Sequence, residues 1–302
     1  MTASAHEHCL LKRLRRAAPL VLMLAGLLAA PASAVAATSS SGFADASSAT
    51  ANVLGLDEGL SSLMFGAGAP LGSYSARQDY ASFTAGAYSS NHGYPADNFQ
   101  RAEVGLHDGR ASWVLQLNRV NRFGLTDQGA AGYLYYALGD GYWGYLYGAF
   151  NPNSQFLPRS AYGAELDRQI GRFGWGFGYR RMNFMQEAVD MYMPSASLYF
   201  GNHLSVTARL YYVPVSQAYS VSIMPVYQDR RHNRYYVDVA AGEIAARSNP
   251  LQNFQKYSGY SVAVGAERRL DPRLSVGADV LYQHRSGLYD RHGVDIYLKT
   301  WW

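Results

Sequence analysis

From about residue 75 onward, apolar and polar residues alternate with a period of two in segment after segment. Leu204, Val206, Ala208, Leu210 and Tyr212 alternate with Ser205, Thr207 and Arg209. Leu274, Val276, Ala278, Val280 and Tyr282 alternate with Ser275, Gly277, Asp279 and Gln283, and Phe173, Trp175, Phe177 and Tyr179 with Gly174, Gly176, Gly178 and Arg180. Tyr162, Ala164, Leu166 and Ile170 oppose Glu165, Asp167 and Gln169. Arg168 interrupts the apolar face near the strand end, where a long stem reaches an interface. Successive side chains of a strand point to opposite faces, so each segment predicts a strand between an apolar and a polar environment. The final segment, His292 to Trp302, places Val294, Ile296, Leu298 and Trp302 on one face, and Gly293, Asp295 and Lys299 on the other. A last strand with an apolar outer face and an aromatic end is how transmembrane β-barrels finish, so these four apolar residues form the expected insertion signal. A soluble β-sandwich can also end in an alternating strand, so the turns and the amino-terminus must decide.

Six short breaks recur about 30 residues apart, with a gap of about 40 before the last: His107–Arg110, Gly139–Gly141, Gly171-Arg172, Gly201-Asn202, Asp229–Asn233 and Asp271-Pro272. About 30 residues is the length of two tilted membrane strands plus a connection. Asp-Gly and Gly-Asn tolerate positive φ and suit tight hairpins. Longer polar connections are expected between them, at Ser90–Asp97, Arg122–Gln128, Asn151–Pro158, Gln186–Asp190, Val215–Gln217, Gly242–Tyr257 and Arg285–Arg291. Short turns alternating with long loops match a barrel with periplasmic turns and external loops. The count is 14 antiparallel strands, with 12 as the alternative.

The amino-terminus adds a compartment. Lys12, Arg13, Arg15 and Arg16 precede an apolar stretch at Leu20–Ala29 and a small-x-small site at Ala32-Ser33-Ala34, the pattern of a cleaved signal peptide over residues 1–34. Its removal takes four basic residues and one acidic residue from totals of 26 and 22, leaving a nearly neutral chain of roughly 268 residues. No basic surface for nucleic acid is then expected. The one cysteine, Cys9, lies in the signal, so a disulfide framework is ruled out. Beyond it no apolar run of about 18 residues predicts a membrane helix. Residues 35–73, rich in Ala, Ser, Gly and Thr, read as a flexible periplasmic leader, with a short amphipathic helix at Val53–Phe65 as the alternative.

Parity assigns Glu103, Glu165, Asp167, Arg180, Arg209, Asp238, Asp279, Asp295 and Lys299 to the barrel interior. Two readings stay open: charges that tune what passes, or a self-paired network filling a narrow lumen. Tyr133–Tyr136 and Tyr142–Tyr147 are aromatic on both parities. The expected placement is a lipid-facing hairpin in an aromatic belt, with a lumenal sugar-stacking surface as the alternative. His284 and Ser286 have the spacing of a nucleophile and its base, similar to the His-x-Ser of outer-membrane lipid A deacylases. His203 and Ser205 repeat that spacing, no third residue is evident, and the expected protein is not an enzyme. The remaining histidines do not cluster, so neither a metal nor a cofactor is expected.

The chain from about residue 75 resembles the YaiO-like family of outer-membrane β-barrel proteins. The resemblance is carried by Arg159–Arg168, Gly174–Arg181, Thr207–Val213 and Gly259–Arg268. It implies an outer-membrane location and no known catalytic residues. Some relatives carry helical repeats ahead of the barrel. Residues 35–73 are too short for these, which weakens an inferred scaffolding role in polysaccharide export. The expectation is one barrel over residues 74–302, acting as a pore or a surface structural or receptor protein. It would contact outer-membrane lipid and lipopolysaccharide, be inserted by the outer-membrane insertion machinery, and take a saccharide or small solute as candidate ligand.

Overall fold

A computed structural model of the chain describes residues 79–91, 96–122, 124–246 and 255–302. The expected signal peptide and leader lie outside the described residues. The period-two segments form β1 (Tyr80–Ser90), β2 (Asp97–Asp108), β3 (Ala111–Arg122), β4 (Leu125–Gly139), β5 (Tyr142–Phe150), β6 (Ser160–Ile170) and β7 (Phe173–Asn183). They continue as β8 (Ala188–Phe200), β9 (Leu204–Val213), β10 (Ala218–Gln228), β11 (Arg234–Ala246), β12 (Gln255–Asp271), β13 (Leu274–Arg285) and β14 (Tyr289–Trp301). Among the described residues these fourteen strands close into one antiparallel barrel, each paired with its sequence neighbours and β14 with β1. The seam runs without a break from Tyr80 opposite Trp301 to Ser90 opposite Arg291. Closure leaves no unpaired edge for lipid to meet.

The apolar parity faces outward. Ile296 is 59% exposed and Leu298 51%, with Val294 and Trp302 beside them on the outer face. Phe173, Phe177, Leu198, Val239, Val264 and Val280 extend that apolar surface around the barrel. Arg168 also points outward, and its guanidinium lies 4.6 Å from the centre of the Tyr142 ring at the barrel's short-turn end. By the usual asymmetry of such barrels, the six short turns, the start of β1 and the end of β14 face the periplasm.

All six short breaks connect strands as expected, but three of the seven longer connections are shorter than the sequence suggested. β3 and β4 pair as far as Arg122 opposite Leu125, leaving only residues 123 and 124 between them, with Gly124 at φ +78°. β13 and β14 pair to Arg285 opposite Tyr289, and β11 and β12 pair from Gly242 opposite Gly259 to Ala246 opposite Gln255. Polarity at a strand's outer end signals a loop only if the residue lies in water. Arg122, Asp127, Arg285 and Arg291 instead turn into the lumen and are buried there.

Candidate lumenal site

The nine charges assigned by parity all lie on inward-facing positions, but they fall into separate groups. Glu165, Asp167, Arg180 and Arg209 gather on the wall made by β6, β7 and β9. Arg209 Nη2 donates to Glu165 Oε1, and Tyr145 Oη donates to Glu165 Oε2 at 2.9 Å. Arg180 stacks on the Tyr147 ring, 4.4 Å from its centre. Glu103 and Lys299 meet across Tyr80 near the periplasmic end. Tyr80 Oη donates to Glu103 Oε1 at 2.6 Å, while Lys299 Nζ sits 4.0 Å from the Tyr80 ring centre and 4.3 Å from that of Trp301. Asp279 and Asp295 are directly opposite each other on β13 and β14, and Tyr88 Oη donates to Asp295 Oδ1 at 2.6 Å. Asp238 lies on β11, between outward-facing Val237 and Val239.

The tyrosine hairpin is lumenal, which corrects the lipid-facing expectation. On β4 and β5, Tyr133, Tyr135 and Tyr145 are buried inside the barrel, and Trp143 and Tyr147 pack against them. Leu134, Tyr136, Tyr142 and Leu146 take the opposite parity. Tyr133 and Tyr147 rings lie 4.8 Å apart, and Tyr135 and Tyr145 5.4 Å apart. Periodicity could not orient a hairpin whose two faces are equally aromatic. The neighbours decide: the interior parity meets Arg180 and Glu165, which hold the tyrosine rings and hydroxyls.

The external half of the lumen is filled differently on its two sides. Met182, Val189, Met191 and Met193 form a buried apolar cluster with Tyr211 and Val213, all on inward positions of β7, β8 and β9. An inward face this apolar was not expected. On the opposite side Asp97 is clasped by Arg122 Nε at 3.4 Å and Arg291 Nη2 at 3.3 Å. Arg122 Nη2 also donates to Tyr289 Oη at 3.1 Å, and Arg291 stacks on Tyr88. Between these sides the β5–β6 connection folds inward. Buried Asp127 accepts the backbone N–H groups of Gln155 at 2.7 Å, Phe156 at 3.0 Å and Leu157 at 2.7 Å. Asn151 closes the same segment by donating to Pro158 O at 2.6 Å, and Phe156 is buried.

Below that fill, a cavity opens in the periplasmic half of the lumen. Tyr133, Trp143, Tyr145 and Tyr199 supply aromatic surface, Asp167, Arg180 and Arg209 supply charge, and Ser195, Ser197, Thr207 and Ser222 supply hydroxyls. The model of the YaiO membrane beta barrel domain matches residues 76–246. The chain belongs to that family. The protein is therefore an outer-membrane β-barrel, with the apolar exterior such a location requires.

Structural comparison of this YaiO-family chain returns several solved outer-membrane proteins. Salmonella typhi OmpF in complex with daunomycin is 10% identical, covering 75% of this chain and 99% of that one with a TM-score of 0.43. A bacterial polysaccharide outer membrane secretin is 10% identical over 75% and 99%, with a TM-score of 0.45. A loop L8 deletion mutant of OmpT from Vibrio cholerae is 11% identical over 74% and 98%, with a TM-score of 0.39. No curated protein sequence matches the chain.

His284 and Ser286 of this YaiO-family barrel sit at the external rim. His284 Nδ1 lies 2.5 Å from Asp290 Oδ1, and its ring packs against Tyr260 at 5.2 Å. Asp290 is the acidic partner that the sequence did not reveal, because it lies across the β13–β14 turn. Ser286 donates its backbone N–H to Ser258 O at 2.9 Å. No hydrogen bond joins His284 to Ser286 among the described residues, and no group of acidic, histidine or cysteine side chains there is arranged to hold a metal. Sequence reasoning also missed Asp97, Arg122, Asp127, Arg285 and Arg291. Their parity matches the lumenal set, but they lie in stretches read as loops.

Proposed function

We propose that the protein is a non-enzymatic outer-membrane barrel that binds a ligand from the periplasmic side, with its external mouth held shut. The observation that carries this reading is the inward fold of residues 151–158, fastened to Asp127 by three backbone N–H groups. A carboxylate accepting three hydrogen bonds in a buried setting makes a firm anchor, since charge-assisted bonds contribute about 1.5–3 kcal/mol each. The apolar cluster of Met182, Met191 and Met193 supports the same reading, because a methionine-lined passage is a poor path for hydrated solutes. The rim pair of His284 and Asp290 supports a structural role: the histidine turns Nδ1 to the carboxylate, and among the described residues no hydrogen bond joins it to Ser286.

Single-channel recording of the refolded protein in a planar bilayer at high salt tests the proposal. Folding is established beforehand by the heat-dependent shift in gel mobility. The wild type is expected to show no stable steps on the order of a nanosiemens. Asp127→Ala releases the inward segment and is expected to introduce such steps. Stable nanosiemens steps from the wild type, unchanged in Asp127→Ala, would overturn the closed-mouth reading.

A further inference from the structure

The periplasmic half of the lumen is more than leftover space, because several polar atoms on its wall lack partners. Asp167 Oδ2, Arg180 Nε and Nη1, and Tyr133 Oη are buried, line the cavity and meet no hydrogen-bond partner among the described residues. A buried polar group left unsatisfied is costly. Water can fill this role, but an organic ligand displaces water only if it offers both donors and acceptors. Asp167 Oδ2 calls for a donor, Arg180 calls for acceptors, and the Tyr133 hydroxyl can take either part.

The rest of the wall narrows the chemistry. Tyr133 and Tyr145 are tilted against each other at 6.2 Å, with Trp143 beside them, so one side of the cavity is a broad aromatic face. Facing it, Ser197 and Thr207 share a hydrogen bond of 2.9 Å, with Ser195 and Ser222 nearby. Arg209 is paired with Glu165, and Arg168 is turned onto the Tyr142 ring, so Asp167 and Arg180 are the charges left to face a ligand. A phosphate or a polyanion would find no surplus of positive charge and would meet the Asp167 carboxylate. A fatty chain would leave the polar atoms unsatisfied. A pyranose ring fits all of these conditions, with an apolar C–H face for the aromatic wall and ring hydroxyls that both donate and accept.

We propose that this cavity binds a neutral saccharide, with the sugar face on Tyr133, Trp143 and Tyr145 and its hydroxyls held by Asp167 and Arg180. The proposal deepens the reading of the barrel as a binding protein and rests on it for biological sense. Its test reads occupancy rather than current, so the two fail separately.

The test is isothermal titration calorimetry of the refolded, detergent-solubilised protein. Cellotetraose, chitotetraose and maltohexaose serve as neutral probes, and trigalacturonate as the acidic one. At least one neutral probe should bind with Kd below about 1 mM, and trigalacturonate at least tenfold more weakly, a difference of about 1.4 kcal/mol. Asp167→Asn and Tyr133→Phe keep the side-chain shape and should each weaken the neutral probe about tenfold. Should either fail to fold, Ser222→Trp fills the cavity from the opposite wall and should abolish binding. Folded wild type that binds no neutral probe would overturn the proposal. So would trigalacturonate binding tightest, or neutral binding unaffected by every folded variant among the three.

Discussion

Tyr88 lies flat across Gly293, its register partner on the neighbouring strand, and four more aromatic residues repeat the arrangement. Tyr80 covers Gly105, Phe99 covers Gly86, Tyr236 covers Gly265 and Tyr297 covers Gly277, each pair directly opposite in register. A ring laid on a glycine lines the lumen while leaving its hydroxyl free to reach along the wall, as Tyr88 does to Asp295 and Tyr80 to Glu103. A methyl group on Gly293 would overlap the Tyr88 ring and crowd the Ala87 carbonyl. Gly293→Ala should therefore displace Tyr88 from both Asp295 and the Arg291 guanidinium stacked on it. Overpacking of this kind costs about 1–3 kcal/mol, which a lowered urea midpoint of the folded band would report. The glycine and aromatic residues are plain in the sequence, but their pairing is not. It depends on strand register, which one sequence leaves free.

Among the turns, Asp229–Asn233 is the most heavily bonded. Asp229 accepts the backbone N–H groups of Arg231 at 2.8 Å and Asn233 at 2.9 Å, and the Asn233 amide at 2.7 Å. Desolvation alone would raise its pKa, but these hydrogen bonds outweigh it and hold the carboxyl below the usual aspartate value. A depressed native pKa stabilises the fold above the unfolded value of about 3.9 and is lost as pH falls through the native value. Asp229→Asn should thus lower the urea midpoint at pH 7, and its deficit should shrink as the pH drops from about 4 downward. The opposite trend would disprove the turn's role. The six short turns were legible because their glycine, aspartate and asparagine residues carry conformational meaning of their own. Arg122–Gln128 was not legible, because Arg122 and Asp127 are polar for the sake of the lumen rather than of water. The outward faces were equally readable, since lipid imposes one chemistry on a whole parity. The inward faces serve several neighbours at once, so Met191, Arg180 and Ser197 can all be lumenal without sharing a pattern.

At the scale of the barrel, the apolar face of β14 ties insertion to the last strand. Val294, Ile296, Leu298 and Trp302 all face outward. Replacing Leu298 and Trp302 together by Asp places two charges on the lipid face, each costing up to a few kcal/mol depending on depth. That double variant should yield no heat-modifiable, membrane-inserted protein in cells. Normal insertion would remove β14 from its assigned role. The seam between β14 and β1 carries a further consequence. Every other strand pair joins neighbours in the chain, whereas this pair joins residues more than 200 positions apart, such as Tyr88 and Asp295. The thirteen local hairpins can therefore form in any order while the chain is being delivered, but the ring itself is a test of completeness. A polypeptide interrupted anywhere keeps two open edges and remains a sheet. Only an intact one can become a wall that lipid tolerates, and its first strand must wait for its last.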